Sequence, residues 1–167
     1  AIRQYFRAAS FVATQRLGSW GREMCGFAGF LDRRGDADIS NRAALASVMA
    51  SALAHRGPDD EGAWCDGRLA VAHRRLSILD LSSAGHQPML SADGRYVIAF
   101  NGEIYNHLSV REELAIAGVA QSWRGHSDTE TMLAAFVAWG VDRALQSFAG
   151  MFAFAVWDRS EKRLILA

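Results

Sequence analysis

Apolar residues along the chain gather in short runs broken by polar and glycine-rich stretches, and the spacing within each run predicts its element. Residues 24–30, Met-Cys-Gly-Phe-Ala-Gly-Phe, are small and apolar on both faces, the pattern of a fully buried strand. A polar turn cluster follows at 32–36. Over 41–54, Leu45, Val48, Met49, Ala52 and Leu53 recur at i, i+3, i+4, i+7 and i+8, which predicts a helix turning those side chains to the core. That helix must stop before Gly57-Pro58, because the residue ahead of a proline resists helical geometry. Short strands are expected at 63–65 and 69–73, joined at Asp66-Gly67.

Val97-Ile98-Ala99-Phe100 reads as a further strand running into Asn101-Gly102, a dipeptide that signals a hairpin turn. A helix is expected over 109–117, with Ser109 and Glu112 as a capping box and Gly118 as its stop. A second opens at Ser127-Asp128-Thr129-Glu130, carries Met132, Leu133, Phe136 and Val137 on its inner face, and ends at Gly140. Residues 151–157 are apolar on both faces, so that strand must be covered on two sides, as in a layered sandwich. The last strand, 163–167, meets the end of the chain without a terminating turn and reads as the edge of a fragment.

The 167 residues are enough for one domain with a substantial core. Net charge is zero, and 17 of the 18 basic residues are arginine, which we read as codon bias of a GC-rich genome. Neither a nucleic-acid surface nor a membrane span is indicated. Two cysteines are too few for a disulfide framework, which makes a reducing cytoplasm the default compartment. The five histidines show no metal-ligand spacing.

Met24 stands directly before Cys25. Removal of an initiator methionine there would leave Cys25 with a thiol and a free α-amine, whose ordinary pKa values are about 8.5 and about 7.7–8.0. Such an amine can act as base toward the thiol near neutral pH, a device suited to attacking an amide. The other reading is a small buried hydrophobe at a strand start. Residues 1–23 carry four arginines with only one acid, Glu23. They read as a transit-like leader, a propeptide, or, the reading we favour, an extension upstream of the true start at Met24. An uncut leader would turn the Cys25 amine into an amide that takes no proton.

Seven motifs occur in order: Met24-Cys25-Gly26, His55-Arg56-Gly57-Pro58-Asp59, His73-Arg74-Arg75-Leu76-Ser77-Ile78, Gly85-His86-Gln87-Pro88, Asn101-Gly102-Glu103-Ile104-Tyr105-Asn106, Ser127-Asp128-Thr129-Glu130 and Gly150-Met151-Phe152-Ala153-Phe154. Together they resemble the class II glutamine amidotransferase domain of bacterial, glutamine-hydrolysing asparagine synthetases, over 24–167. The resemblance implies an α+β fold, a four-layer αββα sandwich of two antiparallel sheets between helix layers, of the N-terminal nucleophile type. It implies an enzyme in which Cys25 attacks the side-chain amide of L-glutamine and forms a thioester. Asn101 and Gly102 would hold the oxyanion, Arg75 the substrate α-carboxylate and Asp128 its α-ammonium, with Glu103 lining the same pocket. His55 and His73 are expected to be structural and Cys65 to be core.

The same resemblance implies no cofactor in this domain. ATP and magnesium would belong to a synthetase domain that receives the ammonia, is normally on the same chain, and is absent from these residues. A homodimer is one assembly it allows. The alternatives are a domain feeding another acceptor, as in polysaccharide-associated relatives, and a non-catalytic remnant.

Overall fold

The computed structural model describes residues 4–5, 10–13, 25–32, 39–77, 80–119 and 122–167, with only the backbone given for 4–5, 10–13 and 39–40. Met24, Ile78, the 33–36 turn and most of the 1–23 segment lie outside the described residues.

Two antiparallel sheets stack face to face. One has the strand order β1-β9-β8-β7-β6, formed by Gln4–Tyr5 (β1), Arg163–Leu166 (β9), Gly150–Asp158 (β8), Tyr96–Ile104 (β7) and Met89–Leu90 (β6). The other has the order β2-β3-β5-β4, formed by Ser10–Ala13 (β2), Gly26–Leu31 (β3), Leu69–Arg75 (β5) and Asp60–Asp66 (β4). Helix α1 (Ile39–Ser51) covers the second sheet. Helices α2 (His107–Ile116), α3 (Asp128–Trp139) and α4 (Val141–Ser147) cover the first, with α3 seated directly on β7. This is the four-layer αββα sandwich expected from the sequence.

Three apolar layers hold it together. Phe27, Leu69, Val71, Val97, Ala99, Ala155, Trp157 and Leu164 fill the space between the sheets. Ile98, Phe100, Phe154 and Val156 point the other way along the same strands, onto Met132, Leu133 and Phe136 of α3. The alternation follows from the two-residue strand period, and it explains why β7 and β8 are apolar on both faces. Each fully buried Leu, Ile or Phe contributes about 1.5–3 kcal/mol. No helix among the described residues is long and apolar enough to cross a membrane.

The third layer overturns most of the expected face of α1: of its five residues Leu53 is buried, in the turn past the helix end, Met49 is half-buried, and the rest face outward. Ala46 and Ala50 pack on Ala70 and Ala72, whereas Leu45 and Val48 are 51% and 66% exposed. Alanines on both sides let helix and sheet approach closely, and that close approach has no room for the larger residues. In α3, Val137 likewise turns outward.

Three local expectations also change. Asn101-Gly102 makes no turn: β7 runs straight through, with Asn101 opposite Ala153 and Gly102 opposite Phe152. Helix α2 starts two residues before Ser109, with Asn106 as its N-cap and no side-chain cap bond, so the Ser109–Glu112 box does not form its start. Residues 1–23, from which no element was read, contribute β1 beside β9 and β2 beside β3. Strands of two and four residues have too short a period to declare themselves; their identity comes from the edge they pair with.

Candidate active site

Cys25 lies immediately ahead of β3, whose register sets Gly26 opposite Arg74 and Phe27 opposite His73. That pairing brings Cys25 to the end of β5, where the Leu76 N–H donates to Sγ over 3.1 Å and the thiol lies 3.5 Å from the Leu76 carbonyl. The 55–59 motif secures this corner. A Cβ on Gly57 would strike the Arg74–Arg75 peptide, so only glycine lets the two backbones touch. Asp59 N–H donates to the Arg75 carbonyl at 3.0 Å, and the Asp59 carboxylate accepts from Ser77 N–H at 2.7 Å. Arg56 Nε reaches the Cys25 carbonyl at 3.4 Å. His55 is exposed.

The sulfur opens into a cavity of about 70 Å³ lined by Arg75, Asn101, Gly102 and Asp128 among others. Four of the five expected partners of the chemistry therefore meet Cys25 in one space. Glu103 is the exception. Two positions along β7 from Asn101 and on the same face of the strand, it does not line the cavity. Its charge is still felt at Asp128.

Each lining group is held differently. The Arg75 guanidinium, buried, donates to the carbonyl of Ser82 at 3.0 Å and to that of Asp80, and it occupies the space a side chain on Gly85 would need. Asp128, 5% exposed, sits at the first turn of α3 and accepts from the N–H groups of Ile104 and Thr129, both at 2.8 Å. Ser127 caps that helix by accepting from Glu130 N–H at 3.2 Å. The Glu130 carboxylate reaches further back than a capping box requires, to the N–H groups of Arg124 and Gly125. Gly102 has φ +141°, and a Cβ there would strike the β8 backbone at Met151 and Phe152.

Asn101 is fully buried, and neither its Nδ2 nor its Oδ1 has a hydrogen-bond partner. An amide left bare in an interior costs about 1–3 kcal/mol for each unmet group, so one persisting at a cavity wall points to a ligand.

Burial pushes the Cys25 thiol above its ordinary pKa. The Leu76 N–H and the Arg75 cation oppose this, while Asp128 adds to it. Burial likewise raises the Asp128 carboxyl against its two backbone bonds. A raised thiol needs a base, yet no histidine lines the cavity among the described residues. His73 is buried at the sheet interface, bonded through Nε2 to the Phe100 carbonyl at 2.8 Å, and its pKa is lowered to about 4 by burial. It is the neutral, structural histidine expected from the sequence. Cys65 is half-buried against the α1 alanines.

Two lining residues carry roles that the sequence reading left unassigned: Asp80, outside every motif, and Gln87, inside the 85–88 motif. Asp80 takes Ser82 N–H and Oγ on one oxygen at 2.8 and 2.6 Å, and His126 N–H on the other at 3.0 Å. It thereby ties the loop under Arg75 to the loop ahead of Asp128. The Ser82 bonds hold its carboxyl below the usual range. Gln87 accepts from Phe100 N–H at 2.7 Å, next to Asn101. The Asp-x-Ser spelling at 80–82 is a local turn signal, but the bond to His126 spans 46 residues and leaves no local trace.

A family model described as a glutamine amidotransferase domain matches residues 24–167. Asparagine synthetase (glutamine-hydrolyzing) 1 of Bacillus subtilis (strain 168) is 38% identical over 138 residues, 83% of this chain and 21% of that protein. Asparagine synthetase B (glutamine-hydrolyzing) of Escherichia coli (strain K12) is 39% identical over 139 residues, 83% of this chain and 24% of that protein. A putative asparagine synthetase (glutamine-hydrolyzing) of Mycobacterium bovis is 38% identical over 156 residues, 86% of this chain and 24% of that protein. The chain thus spans between a fifth and a quarter of the length of these relatives. With the family match running through Cys25 and every residue of the cavity, this chain belongs to the glutamine amidotransferase domain family.

Proposed function

We propose that this domain is the glutaminase half of a glutamine-hydrolysing asparagine synthetase. Arg75 grips the α-carboxylate of L-glutamine with its planar fork, and Asp128 faces the α-ammonium. The α-amine of Cys25, once residues 1–24 are gone, takes the thiol proton. The sulfur attacks the side-chain amide carbon, and the oxygen that becomes negative is held by Asn101 Nδ2 and the Gly102 N–H. Collapse of that intermediate breaks the C–N bond, the nitrogen leaves as ammonia with the proton returned to it, and a glutamyl thioester remains. Water then cleaves the thioester, giving glutamate and the free thiol.

The observation that supports this reading best is the bare, buried amide of Asn101 in the same cavity as Cys25. A donor with no internal partner is preorganised for charge that appears only during reaction. Among the described residues the cavity is lined by no histidine, which supports the amine as base, and the Arg75 cation supports the thiolate. None of these steps calls for a cofactor. In the wider reading, the ammonia passes to an ATP- and magnesium-dependent synthetase domain on the same polypeptide, in the reducing cytoplasm.

The test is acid-quenched mass spectrometry of protein that begins at Cys25, mixed with glutamine. A glutamyl adduct on the peptide bearing Cys25, absent in Cys25→Ala, is expected. Steady turnover with no adduct at that peptide contradicts the reading.

A further inference from the structure

The Asn101 side chain has no hydrogen bond of its own, so the direction of its amide follows its backbone and the packing around it. That backbone belongs to β7, which is paired to β8 along its whole length on one side. On the other side β6 supports it only at Ile98 and Val97, opposite Met89 and Leu90. Carried two residues further, the register sets Gln87 opposite Phe100, where the neighbouring main chain would have to supply an acceptor. The Gln87 side chain supplies it instead: Oε1 accepts the Phe100 N–H at 2.7 Å. His73 closes the other half, with Nε2 donating to the Phe100 carbonyl at 2.8 Å. The peptide units flanking Phe100 are thus pinned by two side chains, one residue before the bare amide.

Gln87 also lines the cavity, is 6% exposed, and places Nε2 at 3.5 Å from Thr129 Oγ1, a long contact to the residue after Asp128. One amide therefore touches the strand that carries the oxyanion donors and the helix that carries the head-group acid.

We propose that Gln87 is a positioning residue for amide hydrolysis: by holding Phe100 it aims the Asn101 amide at the carbon Cys25 attacks. This rests on the glutaminase reading above. A misplacement of about 1 Å at such a donor costs about a hundredfold in rate. Gln87 makes no bond to the substrate head group in this scheme, so its loss acts on kcat and leaves KM largely alone.

The experiment measures glutamine hydrolysis by the full-length protein with Cys25 at its mature N-terminus. Gln87→Met, close in length and without an acceptor, lowers kcat about ten- to a hundredfold while KM stays within about threefold. Gln87→Glu keeps an oxygen for the Phe100 N–H and recovers kcat to within about threefold on the plateau. Its new carboxylate, joining Asp80 and Asp128 and opposing Arg75 around the cavity, moves the rising limb of the pH profile upward. A kcat for Gln87→Met within about twofold of the parent overturns the proposal, as does an unshifted limb in Gln87→Glu should the methionine variant not fold. Asn101→Ala, run alongside, separates the two levels. If it loses kcat and Gln87→Met does not, the positioning role alone fails. If it keeps kcat, the glutaminase reading beneath it fails.

Discussion

The backbone N–H of Leu76 donates to the sulfur of Cys25 at 3.1 Å, and Leu76 directly follows Arg75. The end of β5 therefore holds the Cys25 thiol with its main chain and presents the Arg75 cation with the adjacent side chain. In the proposed reaction, any movement of this corner changes both the thiol and the grip on glutamine.

Arg75 separates those two effects. Arg75→Lys keeps a charge near the thiol but loses the fork, so KM for glutamine rises about ten- to a hundredfold with little change in the pH limb. Arg75→Ala raises KM as much and also moves the rising limb of kcat/KM to higher pH, because the Arg75 cation lowers the Cys25 pKa. Steady-state kinetics across pH check both. An unchanged KM in Arg75→Ala would favour a hydrolase of the same nucleophile class acting on another amide.

Gly85 makes a gentler probe of the same cation. A Cβ there runs into the far end of the Arg75 side chain, not into backbone, so the fold can yield by displacing the guanidinium. Gly85→Ala is expected to raise KM for glutamine about tenfold while costing less than about 1.5 kcal/mol in a urea melt. A variant that melts several kcal/mol earlier with its KM intact contradicts this placement.

His73 predicts the acid limb of stability. Its folded pKa is lowered to about 4, whereas an unfolded histidine titrates near 6.5. Between these values the unfolded chain binds a proton that the folded one refuses, so stability is full above about 6.5 and is lost as pH falls toward 4. The slope approaches 1.4 kcal/mol per pH unit inside that window. His73→Gln retains a donor for the Phe100 carbonyl and flattens the slope. Denaturant melts at several pH values measure it; an equally steep slope in the variant assigns the acid sensitivity elsewhere.

Helix α1 tests the alanine layer. Ala50→Leu forces methyl groups against Ala70 and Ala72 and costs about 1–3 kcal/mol, whereas Val48→Ser on the exposed side changes stability by no more than about 0.5 kcal/mol. Denaturant melts of the two variants decide. The reverse order would restore the face that the leucine and valine spacing first suggested.

What the sequence made legible was what short-range chemistry controls. The Ser127 cap and the Gly140 stop bracket α3 where expected, and the Asp66-Gly67 turn joins β4 to β5. The two-sided apolar run at 151–157 declared a sandwich because only two covering layers can bury both faces. The register of β3 on β5, which brings Cys25 to Arg75, pairs residues as far apart in the chain as Gly26 and Arg74 and had no local signal. Illegible features depended on partners distant in the chain. Gly102 looked like a turn residue because Asn-Gly tolerates positive φ; it is glycine because β8 lies against it. The rotation of α1 was hidden because alanine scores as weakly apolar, yet close packing selects it over leucine. Helix α4 lacks a side-chain cap, and β6 is two residues long, so neither had a sequence of its own to announce it.

The most direct measurement is ammonia release from glutamine by the chain beginning at Cys25, set beside its Cys25→Ala counterpart and the uncut chain of 167 residues. Turnover is expected in the first alone, since only there do the thiol and an unblocked amine share one residue. Equal ammonia release from the Cys25→Ala protein would contradict it.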